Sequence, residues 1–476
     1  MAKKTMKRSL ALGALMAFAI TGSAMAAELT GSETEIIKSG NWTVGTDVTL
    51  AAENIGDSST EGIKGYDNIV IGDYNNYNRT TVTVDEGKTL TLTSGYGNVD
   101  SMVMNTDIKG DGNVVIKETG TGWSAALGYM TSDRIEAKNI TITAVDAMGG
   151  DDNFAVYGDD GVGEGVITEH VLRGENITLN ADGRTVYAAG HTKIDIVATG
   201  SLKIESDRKG VAITSNAAGQ KDEESNNIYV EAPVLDLDGG IDSLADNSKL
   251  EIKADTIKLD GNIRANVGTV TGLTFNGTES YANGTINAGE KAPVSFSNGA
   301  TWTNTGLSDV TNLTLNDGVV DNTASNANKI KVGTLSGEGT LKVADATANQ
   351  MEVTNVGDAI LKVTTDKQDV ELAELTKVAS SENGAKSAAK IVAITGGSVY
   401  DEISAEVTGY GTVSENVNKT VAEANIAAND MAAVGLMSWR AEMNEMNKRM
   451  GELRNANGEH GVWVRMVRGE SEYNSV

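Results

Sequence analysis

Along most of the chain, apolar and polar residues alternate in short runs: Val82-Thr83-Val84, Leu90-Thr91-Leu92, Val114-Val115-Ile116, Ile194-Asp195-Ile196 and Leu202-Lys203-Ile204. A period of two places successive side chains on opposite faces, so each run predicts a short strand with one face turned inward. Gly, Asn and Asp punctuate the runs, as in Lys109-Gly110-Asp111-Gly112-Asn113, and these residues accept turn conformations that others resist. Four segments share a longer template, with apolar residues at the first, sixth and eighth positions and Ala or Gly at the tenth. They are Ile135 to Ala144, Leu172 to Ala181, Val230 to Gly239 and Ile252 to Gly261, and their starts lie 37, 58 and 22 residues apart. Such intervals fit whole numbers of rungs of roughly 18 to 22 residues.

The pattern predicts an all-β chain wound as a right-handed parallel β-helix over residues 27–343, one turn per rung. A single rung buries too little apolar surface to offset its chain entropy, whereas stacking pairs each strand above and below and joins the inward residues into columns. A sandwich or jelly roll is the competing architecture for many short strands. The strand-poor inserts Gly149 to Glu169 and Ser215 to Asn227 are expected to lie at corners as loops, where any binding would reside.

Both ends break the period. Lys3, Lys4, Lys7 and Arg8 precede the apolar run Leu10 to Ile20, and the small-residue site Ala24-Met25-Ala26 follows. This order predicts a secretory signal over residues 1–26, cut between Ala26 and Ala27, because the run is shorter than the roughly 20 residues of a spanning helix. From Thr420 the period becomes helical. Thr420 and Glu423 have the spacing of a capping box, Gly458 offers a stop, and Leu436, Trp439, Met443, Met446, Met450 and Leu453 recur at intervals of three and four. A helix from Thr420 to Arg454 would be about 50 Å long at 1.5 Å per residue. The stripe alone would equally suit a coiled coil or a core helix.

Composition sharpens the picture. The chain has 54 Gly, only 4 Phe and 2 Pro, and no Cys, so an aromatic-rich core and a disulfide framework are both excluded. A formal net charge of −27 would repel phosphate, which excludes nucleic acid as a partner class. Acidic, aromatic-poor chains are often disordered, but regularly spaced β-branched residues argue against disorder here.

Candidate chemistry is sparse. Gly56-Asp57-Ser58-Ser59 resembles the nucleophile motif of the serine-protease autotransporters, but a triad needs a histidine base, and only His170, His191 and His460 are present, in no legible order with Asp and Ser, so the four residues read as a solvated turn. The pairs Asp151-Asp152 and Asp159-Asp160 could flank a glycosidic bond, yet neighbouring strand residues face opposite ways. Gly149-Gly150-Asp151-Asp152 does not continue as a calcium-binding nonapeptide repeat. Lys109-Gly110-Asp111 and the Asn-x-Thr sequons at Asn139, Asn176 and Asn312 are explained as turns and outward positions. No catalytic residue, cofactor or metal site is assigned, and the chain reads as non-enzymatic.

Three motifs carry a family resemblance. Within Ile330 to Val343, Leu335-Ser336-Gly337-Glu338-Gly339 precedes an alternating strand and resembles the closing rungs of pertactin-like autotransporter passengers. Met446-Asn447-Lys448-Arg449-Met450-Gly451-Glu452-Leu453-Arg454 resembles the linker of monomeric autotransporters. Gly461-Val462-Trp463-Val464-Arg465-Met466-Val467-Arg468-Gly469 resembles the first strand of their translocator barrel, with Gly461, Trp463 and Arg465 as its marks. The resemblance implies a capping, chaperone-like end to the solenoid over 344–413 and a pore-crossing linker helix over 414–458. It also implies a first barrel strand over 459–476, cut short of the many strands that a closed barrel needs.

It further implies export through the Sec translocon, insertion by the outer-membrane barrel assembly machinery, and display at the cell surface or release from it. The passenger is expected to be an adhesin or aggregation factor meeting a host surface or neighbouring cells. A β-helix hydrolase and a truncated, inactive fragment are the alternatives, and a trimeric adhesin is disfavoured by the Gly-Val-Trp-Val-Arg strand after a single helix. Some relatives cut their linker at an Asn-Asn pair, onto which Asn444 and Glu445 align, so the attacking residue type is kept and its partner is not.

Overall fold

The computed structural model describes residues 26–454 apart from 56–68, 73–78, 96–100, 121, 130, 147–152, 160–165, 208–209, 217–226, 325–326, 358, 382–385 and 388–389. The segment read as a signal up to Met25, residues Gly56 to Ser59, Asp151, Asp152, Asp160 and the segment read as a barrel strand, with Gly461, Trp463 and Arg465, lie outside the described residues. The chain is an all-β parallel β-helix, in which one hydrogen-bonded system of strands runs from Ala27–Glu28 to Thr412–Val421. Along the solenoid, strands pair in parallel with strands of the rungs before and after, as Asn139–Ala144 does with Asn113–Glu118 on one side and Thr168–Ala181 on the other.

Alternation becomes architecture through register. One inward column passes without a break through Leu50, Leu92, Ile116, Ile142, Leu179, Ile204, Leu237 and Leu259. It continues through Ala282, Trp302, Val320, Leu341, Val363 and Ala393, and every member is buried. The small Ala282 leaves room for the indole of Trp302 in the next rung. Phe275 and Phe296 stack in register with ring centroids 4.6 Å apart, and Phe296 lies 6.1 Å from Trp302 across the interior.

The four template segments fall in register, Ile135 on Leu172 and Val230 on Ile252. The rung at Ile196 stands between Leu172 and Val230, dividing that interval into turns of 24 and 34 residues. Rungs are therefore longer than the expected 18 to 22 residues wherever a corner is extended. Register shifts at Gly174/Asn176 and Val197/Ser201 hid this rung from the template.

Two local expectations are corrected. Asn153–Gly158, inside the insert read as strand-poor, is a fully buried strand that pairs with Ser124–Tyr129 and Arg184–Ala188. Covered on both faces, it shows no alternation. Ser215, read as the start of a loop, ends the buried strand Val211–Ser215. Parallel stacking continues within the stretch read as the solenoid's capping end, through Met351–Asn355, Ile360–Thr365 and Lys390–Thr395. An antiparallel hairpin, Tyr400–Gly409 with Thr412–Val421, then covers the last rung.

The helix spans Glu423–Arg454, about 48 Å at 1.5 Å per residue. Thr420, read as its cap, lies instead in the hairpin opposite Glu402. The carboxylate of Asp401 accepts the Glu423 amide at 3.4 Å, and the Asn425 side chain donates to the carbonyls of Ser398 and Val399. The hairpin thus supplies the caps, and the helix leaves the end of the solenoid.

Candidate functional site

Three features stand out from a surface otherwise built of Thr, Asn, Asp and Lys. The first is an aromatic cluster on the outer side of the solenoid. Phe154 and Tyr157 on Asn153–Gly158, Tyr187 on Arg184–Ala188 and Trp123 just before Ser124–Tyr129 come together because register sets Tyr157 on Tyr187 and Phe154 on Ala125. Trp123 meets Tyr157 edge-on at 5.3 Å, and Phe154 stacks on Tyr187 at 5.4 Å. The rings carry polar handles. Tyr157 donates to Asp159 at 2.8 Å, Asn216 donates to the Tyr187 hydroxyl at 3.3 Å, and the Arg184 guanidinium lies 5.2 Å from the Tyr187 ring centre. Phe154 and Tyr157 are buried, whereas Trp123 and Tyr187 are half-exposed.

The column continues upward with polar groups. Thr214, in register with Tyr187, is fully buried and its hydroxyl has no hydrogen-bond partner. In the next rung the buried Asp242 accepts two hydrogen bonds from Arg264, one of them from Nε at 2.7 Å. Of this column Trp123, Tyr187 and Arg264 reach solvent, whereas Thr214 and Asp242 are buried beneath.

The second feature is a cleft of about 350 Å³ on another face, lined by Arg79, Asp107, Lys109, Ser132, Arg134, Glu136 and Glu169. Arg79 is clamped there by both oxygens of Asp107, at 3.0 and 2.6 Å, and by the carbonyls of Ser132 and Thr106. Beneath the cleft runs an inward polar column of Thr80, Thr106, Asp133 and His170, all buried. His170 Nδ1 lies 3.6 Å from Asp133 Oδ2, too far for a hydrogen bond, and among the described residues neither ring nitrogen has a hydrogen-bond partner.

The third feature is a set of carboxyls at one corner. Glu118 accepts the Gly120 amide at 2.7 Å, Asp146 accepts the Gly122 amide at 3.3 Å, and Asp182 accepts the Asp146 amide at 2.6 Å. Burial pushes the Glu118 carboxyl up to about 7, and the charge of Glu53 adds to the rise. Among the described residues no group of three or more His, Cys, Asp or Glu could hold a metal ion.

The residues singled out in the sequence are dispersed. Ala26 and Ala27 are exposed, Ala27 opening the first strand, while Ala24 is outside the described residues. Leu436, Trp439, Met443 and Met446 are on the helix with 56, 59, 36 and 55 % exposure, an uncovered apolar stripe. Met450 and Leu453 lie in the same helix, and Asn444 and Glu445 are exposed on it. No described helix is long and apolar enough to cross a membrane, which says nothing of β-barrels. Asn139, Asn176 and Asn312, read as turn positions, lie instead in strands, and Asn176 donates to Asn139 at 3.0 Å in an amide ladder across rungs.

The fold defines a long parallel β-solenoid with a hairpin-capped end and a projecting helix. Its relatives are serine protease autotransporters. The chain is 44 % identical over 63 residues to the serine protease EspC of Escherichia coli O127:H6, covering 13 % of this chain and 4 % of that protein. It is 43 % identical over 63 residues, with the same coverage, to the serine protease SepA autotransporter of Shigella flexneri. Over 120 residues it is 35 % identical to the serine protease EspP of Escherichia coli, covering 24 % of this chain and 9 % of that protein. The matches thus span less than a tenth of the relatives' length. No family model matches the chain, and no solved structure matches it significantly.

Over these segments the chain is homologous to autotransporters, and its solenoid is consistent with an autotransporter passenger. The reading as a non-enzyme is corrected, because the relatives are named serine proteases. That reading rested on the absence of a His, Asp and Ser order along the chain, and triads are assembled in space from residues in any order.

Proposed function

We propose that the chain is the exported part of an autotransporter, carried out by its own C-terminal translocator and displayed at the cell surface as an adhesive solenoid. The observation that carries this reading is the sequence of parts: a stacked parallel solenoid, a hairpin over its last rung, and a 32-residue helix on which Leu436, Trp439, Met443 and Met446 are exposed. Residues 1–26 would direct Sec export and be removed between Ala26 and Ala27. The helix, with Leu436, Trp439, Met443, Met446, Met450 and Leu453, would occupy the pore of a barrel whose first strand is 459–476. The outer-membrane assembly machinery would insert that barrel. Stacking of each emerging rung on the one already outside would bias passage outward without ATP.

The aromatic face is the proposed contact with host or neighbouring cells, because it gathers four of the chain's scarce rings, Trp123, Phe154, Tyr157 and Tyr187, on successive rungs. Cells displaying the chain in its native context should lose adherence or aggregation by about fivefold or more on Tyr187→Ala, since central aromatic anchors dominate binding energy. Unchanged adherence at equal surface level would remove this face from the account. A hydrolase borne on the same solenoid is the second reading, favoured by the names of the relatives. Covalent labelling of the displayed chain by a fluorophosphonate would select it.

A further inference from the structure

We propose that the cleft around Arg79 is a binding site for a neutral carbohydrate the size of a mono- or disaccharide, independent of the aromatic face and of the contact proposed for it. Its volume of about 350 Å³ is at the lower end of the range for small-molecule pockets, which suits a ligand of that size.

The cleft is built by register. Asp107 and Lys109 face outward from Thr106–Lys109, and Arg134 and Glu136 face outward from Asp133–Glu136 in the next rung. Arg134 stands on Asp107 and Glu136 on Lys109. Donors and acceptors therefore alternate up the rungs, about 4.8 Å apart, and along each strand, about 6.6 Å apart. Arg79 reaches across from the rung below, held by two hydrogen bonds to Asp107 and by the carbonyls of Thr106 and Ser132. Glu169 lines the cleft from the rung above, its amide donating to the Ser132 hydroxyl at 3.0 Å. Val171, in register with the outward Arg134 and Asp195 and only 2 % exposed, adds an apolar surface to the lining.

The balance of charge selects the ligand class. Arg79, Lys109 and Arg134 are matched by Asp107, Glu136 and Glu169, and the buried Asp133 beneath them accepts the Thr106 amide and the Thr131 hydroxyl. An anionic ligand would meet these carboxylates. A cationic one would meet Arg79, which four hydrogen bonds keep from swinging aside. A sugar hydroxyl both donates and accepts, so guanidinium and carboxylate alike can hold it through charge-assisted hydrogen bonds. A pyranose also carries an apolar C–H face, for which Val171 offers a seat. The rim groups are available for this exchange. Arg134 and Glu136 lie 3.3 Å apart with side chains 44 and 40 % exposed, and such a surface pair contributes little on its own. Lys109 and Glu169 form no ion pair with any described residue.

Saturation-transfer NMR on the full chain tests the site. The probes are the methyl glycosides of glucose, galactose, mannose and N-acetylglucosamine with lactose and cellobiose, and N-acetylneuraminate and spermine are the charged comparators. At least one neutral sugar should receive saturation, and its Kd should rise roughly tenfold on Arg134→Ala or Glu169→Ala, as loss of a hydrogen bond to a charged group requires. Tyr187→Ala, on the aromatic face, should leave that Kd unchanged. Both cleft side chains are exposed, so the variants should fold as the native chain does, which circular dichroism checks. Absence of saturation for every neutral sugar in the native chain would overturn the proposal, as would tighter binding of either charged comparator. An unchanged Kd in both folded cleft variants, or a Kd raised by Tyr187→Ala, would place the sugar elsewhere and overturn it equally.

Discussion

Phe296→Ala is expected to cost about 3 to 5 kcal/mol, the usual range for removing a fully buried ring from a packed core. Phe296 is fully buried, stacked on Phe275 at 4.6 Å and facing Trp302 at 6.1 Å. The three rings bridge two sides of the solenoid at a point where the inward column otherwise holds only the methyl of Ala282. Removal would leave a cavity that a stacked, in-register sheet cannot close by moving one strand, because every strand is hydrogen-bonded above and below. Solenoids unfold by neighbouring rungs, so the loss should be local. Urea unfolding with limited proteolysis should show new cleavage between the rungs at 273–276 and 313–315, leaving the N-terminal rungs protected. Full resistance across this region would show that the rings are not a structural node.

Gly272→Ala should be the second severe change. Gly272 has φ +85°, and an added Cβ would sit 1.8 Å from the carbonyl oxygen of Ile252. Positive φ alone costs a non-glycine residue about 1 to 3 kcal/mol. The contact is with backbone and not with the end of a flexible side chain, so the rung must also shift. That carbonyl belongs to the strand Lys249–Asp260, which pairs with Thr269–Thr271 immediately before the glycine. The variant should misregister Leu273–Asn276 against Val294–Ser297, exposing Phe275 and accelerating exchange of its amides. Gly277→Ala is the matched control, since its Cβ would meet nothing within 4 Å at a similar φ of +81°. Equal effects of the two variants would mean that backbone strain alone decides, without the clash.

The solenoid was legible in the sequence because its information is local. Alternation marks each strand, and the positions in Ile135 to Ala144 and Leu172 to Ala181 that repeat are the ones that stack. The rung lengths were not legible. Nothing in a linear pattern distinguishes a corner extension from a missing turn, and the shifts beside Gly174 and Val197 removed one rung from the template. Asn153–Gly158 escaped for a different reason, since a strand buried on both faces has no period.

The aromatic face could not have been read at all. Trp123, Phe154, Tyr157 and Tyr187 meet only through the register of successive rungs, and no spacing along the chain announces it. The same holds for Asp133 and His170, whose strands lie one rung apart. Thr420 and Glu423 show the opposite failure, a local signal overridden by tertiary structure. The hairpin recruits Thr420 into a strand, and Asp401 caps the helix from across the turn.

The proposal that this solenoid is exported and displayed is tested most directly by protease shaving of intact cells carrying the gene in its native context, with the passenger followed by immunoblot. The account predicts that whole cells lose the passenger signal while a periplasmic marker survives, and that the mature chain begins at Ala27. A new terminus after Asn444 would add linker cleavage. A passenger protected until the outer membrane is opened would contradict surface display.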